Sequence, residues 1–354
     1  LSGLVGSEMC IRDRYVSGQS QANYSRDRWV TASANNEDGS GSFGRHAQRS
    51  VVVAALKSAV DTNQQIRDEE RRNFNLIAAP GYPELLSNLV NLNIDRGITA
   101  FVLGDSPLRL ASDATTLTAW GTNANLVTDN GDNGLVTYDE YAAVWYPSGY
   151  TTDLSGTGAV VPSSHMMLKT IALSDNVSYP WFAPAGTRRG GITNATSVGY
   201  IDATSGEFQT VALNEGQRDT LYTMNVNPIT FFNGVGLVAY GQKTRARNAS
   251  ALDRINVARL TVYLRSQLNK LARPYLFEPN DKITREEIKQ ACESLLLELV
   301  GLRALYDFAV VCDETNNTPS RVDRNELWVD IAIEPVKAIE FIYIPLRIKN
   351  TGEI

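Results

Sequence analysis

The chain is poor in the residues that build redox, metal and acid–base chemistry. Its 354 residues include three cysteines, Cys10, Cys292 and Cys312, and two histidines, His46 and His165. No C-x-x-C pair occurs, and so odd and sparse a count argues against a disulfide framework or a zinc site and for a reducing compartment. Long apolar runs are also missing. The stretch Leu295–Val300 is broken by Glu298 and falls far short of the roughly 18 residues that a membrane-spanning helix needs. The start lacks the basic-then-apolar order of a signal peptide. A net charge of −6 is not that of a nucleic-acid binder.

The motifs that would point to catalysis or ligand binding fail on context. Gly39–Gly44 spells GxGxxG, but the polar run Ser33–Asp38 precedes it, where a dinucleotide site needs a hydrophobic strand leading into the glycine turn. No GxxxxGK[ST] is present. His165 follows Ser163 and Ser164, yet adjacency in sequence is not the triad geometry, and no GxSxG elbow occurs. His46 opens a helix beside Arg45. Asp129–Gly134 (DNGDNG) lacks the spacing and the closing glutamate of a calcium loop and reads as Asn-Gly turns. Glu286 and Glu287 lie in a helix's first turn, where they favour its dipole. No catalytic residue, metal ligand or cofactor site is expected.

What the sequence does carry is patterning. Residues 1–14 (LSGLVGSEMCIRDR) read as translated sequencing adapter and are set aside, which places genuine sequence upstream. Residues 15–49 are a polar arm or loop. A helix is expected over 45–72, a buried strand at Asn73–Ala79, a helix at Glu84–Asp95 and a strand at Ile98–Leu103, the order of parallel α/β units. A strand at Tyr141–Tyr146 and a helix at Ser163–Leu173 follow, then loops and short strands over Gly186–Thr210. A boundary is expected near Leu221–Ile229. Beyond it, Ser250-x-x-Asp253 and Thr284-x-x-Glu287 read as capping boxes opening two amphipathic helices. The first carries Val257, Leu260, Leu264, Leu268 and Leu271 on one stripe, the second Ile288, Cys292, Leu295, Leu299 and Leu302. Strands are expected at Tyr306–Val311, Leu327–Ile333 and Ala338–Ile344. The fold class is α/β plus α+β, divided into 50–226 and 227–354.

Two features remain. From Lys243 to Arg273 eight basic residues face one acid, Asp253; a basic helix in an acidic chain suggests an acidic partner surface, and the bland reading is a solvated face. The segment Leu327–Ile348 alternates, and a terminal strand can pair within its own subunit or add to a neighbour's sheet edge.

Taken in order, Tyr141–Pro147 (YAAVWYP), Val161–His165 (VPSSH), Trp181–Gly190 (WFAPAGTRRG), Leu221–Ile229 (LYTMNVNPI), Gly236–Thr244 (GLVAYGQKT), Arg254–Leu260 (RINVARL) and the ending Trp328–Ile348 resemble the tail sheath proteins of contractile-tailed bacteriophages, T4-like and cyanophage-like. The resemblance spans roughly residues 50–350. It implies an α/β domain called subtilisin-like for its topology, not its activity, followed by a sheath C-terminal domain with two amphipathic helices on a sheet. It implies a non-enzymatic structural subunit that polymerises around a tail tube and contracts to drive genome delivery. Neighbouring sheath subunits, the tube protein, and baseplate and tail terminator proteins are the implied partners, with no nucleic acid, no membrane span and no cofactor. The implied location is the virion tail, after synthesis in the host bacterial cytoplasm. Ala338, Ile339, Phe341, Tyr343, Leu346 and Ile348 become the inter-subunit strand candidate. Arg254, Arg259, Arg265 and Lys270 become the tube-facing basic candidate, an assignment made from charge. The N-terminal arm and outer domains usual in the family are absent or replaced here. A tailocin or other contractile injection system sheath is the alternative within this class. An α/β hydrolase-like enzyme, built on His165 with a serine and a carboxylate, is the alternative from another.

Overall fold

The computed structural model describes residues 43–202 and 205–340. They divide into two compact units. The first runs to Pro180 and resumes over Pro184–Ser266; the second comprises Trp181–Ala183 and the chain from Gln267 onward.

The first unit opens with helix α1 (Phe43–Thr62) and the short α2 (Gln64–Arg67). Strand β1 (Leu76–Ala78), helix α3 (Leu86–Asp95) and strand β2 (Phe101–Asp105) follow, then α4 (Ala114–Gly121) and β3 (Ala142–Tyr146). Strands β1, β2 and β3 pair in parallel, with Leu103 opposite Ala143 and Asp105 opposite Trp145. A hairpin of β4 (Ser148–Thr152) and β5 (Gly158–Val161) leads into α5 (Ser163–Val177) and the short α6 (Gly186–Arg189). Strands β6 (Ser197–Ile201) and β7 (Phe208–Thr210) join that hairpin in a second sheet, ordered β5-β4-β6-β7. The hairpin's tip is a self-closed turn in which Asp153 Oδ1 accepts the backbone N–H groups of Ser155 and Thr157, each at 2.8 Å. Helix α7 (Glu215–Thr223) starts at a true capping box, Asn214 with Gln217.

Strands β8 (Asn227–Phe232) and β9 (Gly236–Ala239) then return to the first sheet and complete the order β1-β2-β3-β8-β9. The boundary expected at 221–229 therefore falls inside this sheet, and the compact units separate near residue 266 instead. The reason is burial. A parallel sheet must be covered on both faces, and alternation along each strand sends its side chains to two separate cores. Val102, Ala142, Val144 and Tyr146 meet Leu86, Leu89 and Trp120 on one side. Phe101, Leu103, Ala143 and Trp145 meet Met166, Met167 and Ile171 on the other. That second core also takes Ile255, Ala258 and Val262 from α8 (Ile255–Ala272). The first half of the basic helix is thus a covering layer of the parallel sheet, not part of a separate two-helix layer.

In the second unit, α9 (Lys282–Gly301) packs on an antiparallel pair, β10 (Leu305–Val311) with β11 (Asp330–Pro335), connected through the short α10 (Pro319–Val322). Asp281 caps α9 by accepting from the Thr284 N–H at 2.9 Å. Thr284-x-x-Glu287 is therefore already helical and is not the cap. The buried stripe of α9 is Ile288, Cys292, Leu296 and Leu299; Leu296 takes the place expected for Leu295. Cys292 and Cys312 are buried free thiols. The strand expected at 338–344 is not seen in its described part, residues 338–340; the remainder lies outside the described residues.

Close approach dictates one glycine. A Cβ on Gly104 would stand 2.9 Å from Val144 Cγ2 and 3.0 Å from Leu86 Cδ1, so its absence lets α3 seat on β2. Gly104→Val is expected to cost about 1–3 kcal/mol through overpacking, read as a lower urea midpoint with an unchanged slope.

Candidate assembly surface

The basic segment is spent largely inside the chain. Arg245 is fully buried. Its Nη1 donates to the Met224 carbonyl at 2.6 Å and its Nε to the Thr137 carbonyl at 3.2 Å, while its guanidinium lies 4.6 Å from the Tyr138 ring. Burial pulls its pKa down to about 10, with Tyr138 pulling the other way, so it remains charged at neutral pH. Lys243 Nζ donates to the Tyr222 carbonyl at 2.7 Å and sits 4.3 Å from that ring.

Of the four residues singled out as tube-facing, Arg254 pairs with Asp253 at 3.0 Å. Arg259 is 3 % exposed and makes a two-pronged ion pair with Asp175 of α5, at 2.6 and 3.0 Å. A bidentate fork of this kind is strong and directional; here it ties α8 to the end of α5. Arg265 reaches the Gly97 carbonyl at 3.4 Å and lies 5.7 Å from the Tyr141 ring. Lys270 is exposed. The four therefore do not form one exposed stripe. Helical spacing alone could not show this, because the sheet-covering face of α8 is wide enough to take in Arg259.

The strand candidates distribute differently. Ala338 and Ile339 are exposed and outside any strand; Phe341, Tyr343, Leu346 and Ile348 lie outside the described residues. The element beside them is the β10–β11 ladder. Phe308 stands opposite Ile333 and Val310 opposite Ile331, and these side chains are buried or half-buried. Tyr306, Ala309 and Val311 of β10 and Ala332 and Glu334 of β11 are exposed. Among the described residues this sheet has two strands, so each strand keeps one backbone edge unpaired.

The loop joining the two strands is built by two buried asparagines that sequence reading missed. Asn316 Nδ2 donates to the Val311 carbonyl at 2.7 Å and the Trp328 carbonyl at 3.1 Å; Asn317 exchanges two bonds with the Trp328 backbone, at 2.7 and 2.9 Å. The Arg321 guanidinium covers the Trp328 ring at 4.0 Å. The signal was the turn-forming run Asn316-Asn317-Thr318-Pro319. Trp181 was likewise not singled out by itself; its indole N–H donates to the Leu302 carbonyl at 3.1 Å within the second unit.

The serines beside His165 have another role than the hydrolase alternative gives them. Ser163 Oγ and Ser164 Oγ donate to the two oxygens of Asp105, at 2.9 and 2.8 Å, and the N–H groups of Ser164 and Gly81 add bonds of 2.6 and 2.7 Å. Burial pushes the Asp105 pKa up, against these four donors, which hold it down. The cluster anchors the start of α5 and the Pro80-Gly81 turn to the end of β2. His165 is exposed, and no described imidazole stands between serine and carboxylate.

Residues 248–349 match the family described as phage tail sheath C-terminal domain. A tail sheath protein of Vibrio phage KVP40 is 41% identical over 182 residues, 51% of this chain and 26% of that protein. The tail sheath protein of Enterobacteria phage T4 is 35% identical over 237 residues, 67% of this chain and 34% of that protein. This chain is related to phage tail sheath proteins. It spans about a third or less of the length of these curated relatives. The fold of the sheath-related chain extends further. The contracted helical sheath of the anti-feeding prophage matches with a TM-score of 0.61 at 20% identity, over 83% of this chain and 73% of that one. The contracted PVC sheath of an extracellular contractile injection system matches with a TM-score of 0.61 at 19% identity, over 83% and 74%.

Arg259→Ala is expected to destabilise the chain by about 3 kcal/mol or more, because it strands Asp175 and empties a buried site. Arg265→Ala, at a half-exposed position, is expected to cost under about 1 kcal/mol. Thermal and urea unfolding of the two variants measures the difference.

Proposed function

We propose that the chain is a structural subunit of a contractile phage tail sheath, which polymerises around a tail tube and contracts to drive genome delivery. The observation that carries this reading is the β10–β11 ladder with its open edges, lying directly before an alternating C-terminal segment in a region that matches the sheath C-terminal domain. A two-stranded sheet is marginal by itself. Strand addition from a neighbouring copy supplies main-chain hydrogen bonds that hold while side-chain contacts rearrange. Ala338, Ile339, Phe341, Tyr343, Leu346 and Ile348 are the proposed donor.

On this reading the first unit corresponds to the family's subtilisin-like α/β domain, named for topology, and its Asp105 cluster is architectural. Contraction is mechanical: subunit bodies rotate between two packings while exchanged strands keep neighbours joined, and the energy lies in the difference between two interfaces. The tube protein, the baseplate and the tail terminator are the proposed partners. Arg254, Arg265 and Lys270 remain proposed as tube-facing, with Arg259 serving the fold. The same architecture serves a contractile injection system sheath, a second reading favoured by the fold likeness to the anti-feeding prophage and PVC sheaths.

The test is negative-stain electron microscopy of the protein at its full natural length. Tubes or stacked rings are expected, and deletion of residues 338–354 is expected to abolish them while leaving a folded subunit by circular dichroism. A protein that stays monomeric at high concentration overturns the proposal.

A further inference from the structure

The loop between α8 and α9 presents an apolar knob at energetic cost. Leu276 is 64% exposed, Phe277 is fully exposed, and Ile283 on the first turn of α9 is 68% exposed. Phe277 also has φ +73°, a left-handed conformation that bulky side chains rarely adopt. An exposed aromatic in a disfavoured backbone state gains nothing for the isolated chain. Strain of this kind is retained where something else uses it, and exposed aromatics on a rim of charge are the usual anchors of protein interfaces. The cations here are Lys270, Arg273 and Lys282; of the two local acids, Glu278 and Asp281, Asp281 is engaged in capping α9.

A complementary feature exists in the first unit. A cleft of about 730 Å³ between α1, α2 and α3 is lined by Asp61, Gln64, Arg67, Asn88, Asn91, Ile94 and Asp95. Arg67 pairs with Asp95 and sits 3.8 Å from Asp61, and Asn88 Nδ2 holds both oxygens of Asp61 at 2.9 and 3.1 Å. Both carboxylates stay partly exposed at the opening, and Ile94 is 53% exposed beside them. The cleft therefore offers an apolar contact flanked by negative charge, the counterpart of an apolar knob flanked by positive charge.

We propose that the Leu276–Phe277 knob of one copy docks at the Ile94 cleft of a second copy, with the Phe277 ring on Ile94 and the cations around it facing Asp61 and Asp95. The contact is heterologous, because knob and cleft are different surfaces of the same chain, and repeated heterologous contacts build rings or helices rather than closed pairs. The proposal rests on the sheath reading and adds to it a side-chain interface separate from the terminal strand.

The test places a photo-crosslinker where it reads the contact directly. The full-length protein with Phe277→p-benzoylphenylalanine is irradiated at high concentration, and crosslinked peptides are mapped by mass spectrometry. Dimers joining position 277 to residues near Ile94 are expected. Phe277→Gly is expected to keep or raise the melting temperature, since glycine accepts the positive φ, yet to weaken self-association about tenfold or more; Ile94→Asp is expected to weaken it similarly. Crosslinks that map elsewhere, or undiminished association of Phe277→Gly, overturn this contact and leave the sheath reading standing. A wild-type protein with no self-association overturns both.

Discussion

A parallel sheet exposes no face to water, and most of the first unit follows from that requirement. Strands β2 and β3 are buried on both sides, so helices must cover each. Helix α3 and its neighbours cover one face, and α5 with the start of α8 covers the other. Because α8 is needed as a cover, the chain from 227 to about 266 belongs with the sheet, whatever its distance along the sequence. The Asp105 cluster serves the same end, holding the start of α5 against the sheet at the point where β2 stops.

This requirement marks the limit of what the sequence makes legible. Segments with one strong period were readable: the buried strands around Val102 and Val144, the α3 pattern through Leu89, and the α9 stripe through Ile288 and Cys292. The boundary was not, because β8 and β9 are short and look like any local hairpin, and only long-range pairing assigns them to β3. The α9 cap was misplaced by three residues because Asp281, Thr284 and Glu287 all suit a helix start, and geometry alone selects Asp281. The hairpin β4–β5 and the helices α4 and α7 lack a strong apolar period. Their stability comes from tertiary packing and from local devices such as the Asn214–Gln217 box.

Charge was the least legible property. A run of basic residues reads as a surface, yet Arg245 is satisfied by backbone carbonyls and a tyrosine ring, and Arg259 by a buried carboxylate. Arginine suits both sites because its planar fork can be paired or stacked when dehydrated. The strand candidates were legible through alternation, but alternation cannot name the sheet a strand will join. That choice depends on which backbone edges remain open, and the β10–β11 ladder supplies such edges.

The β4–β5 hairpin has a bearing on how this architecture accommodates growth. Its turn is closed by the Asp153 carboxylate, and Leu154 lies fully exposed at the tip. Strands β4 and β5 are held by their own ladder, and β4 is held again by β6, so the sheet's register does not depend on the length of the turn. Closing a longer loop costs little, about 0.6 kcal/mol for each doubling of its length. Residues 153–157 are thus a permissive point at which extra sequence, from a peptide tag to an additional domain, can be carried without disturbing the parallel sheet beneath.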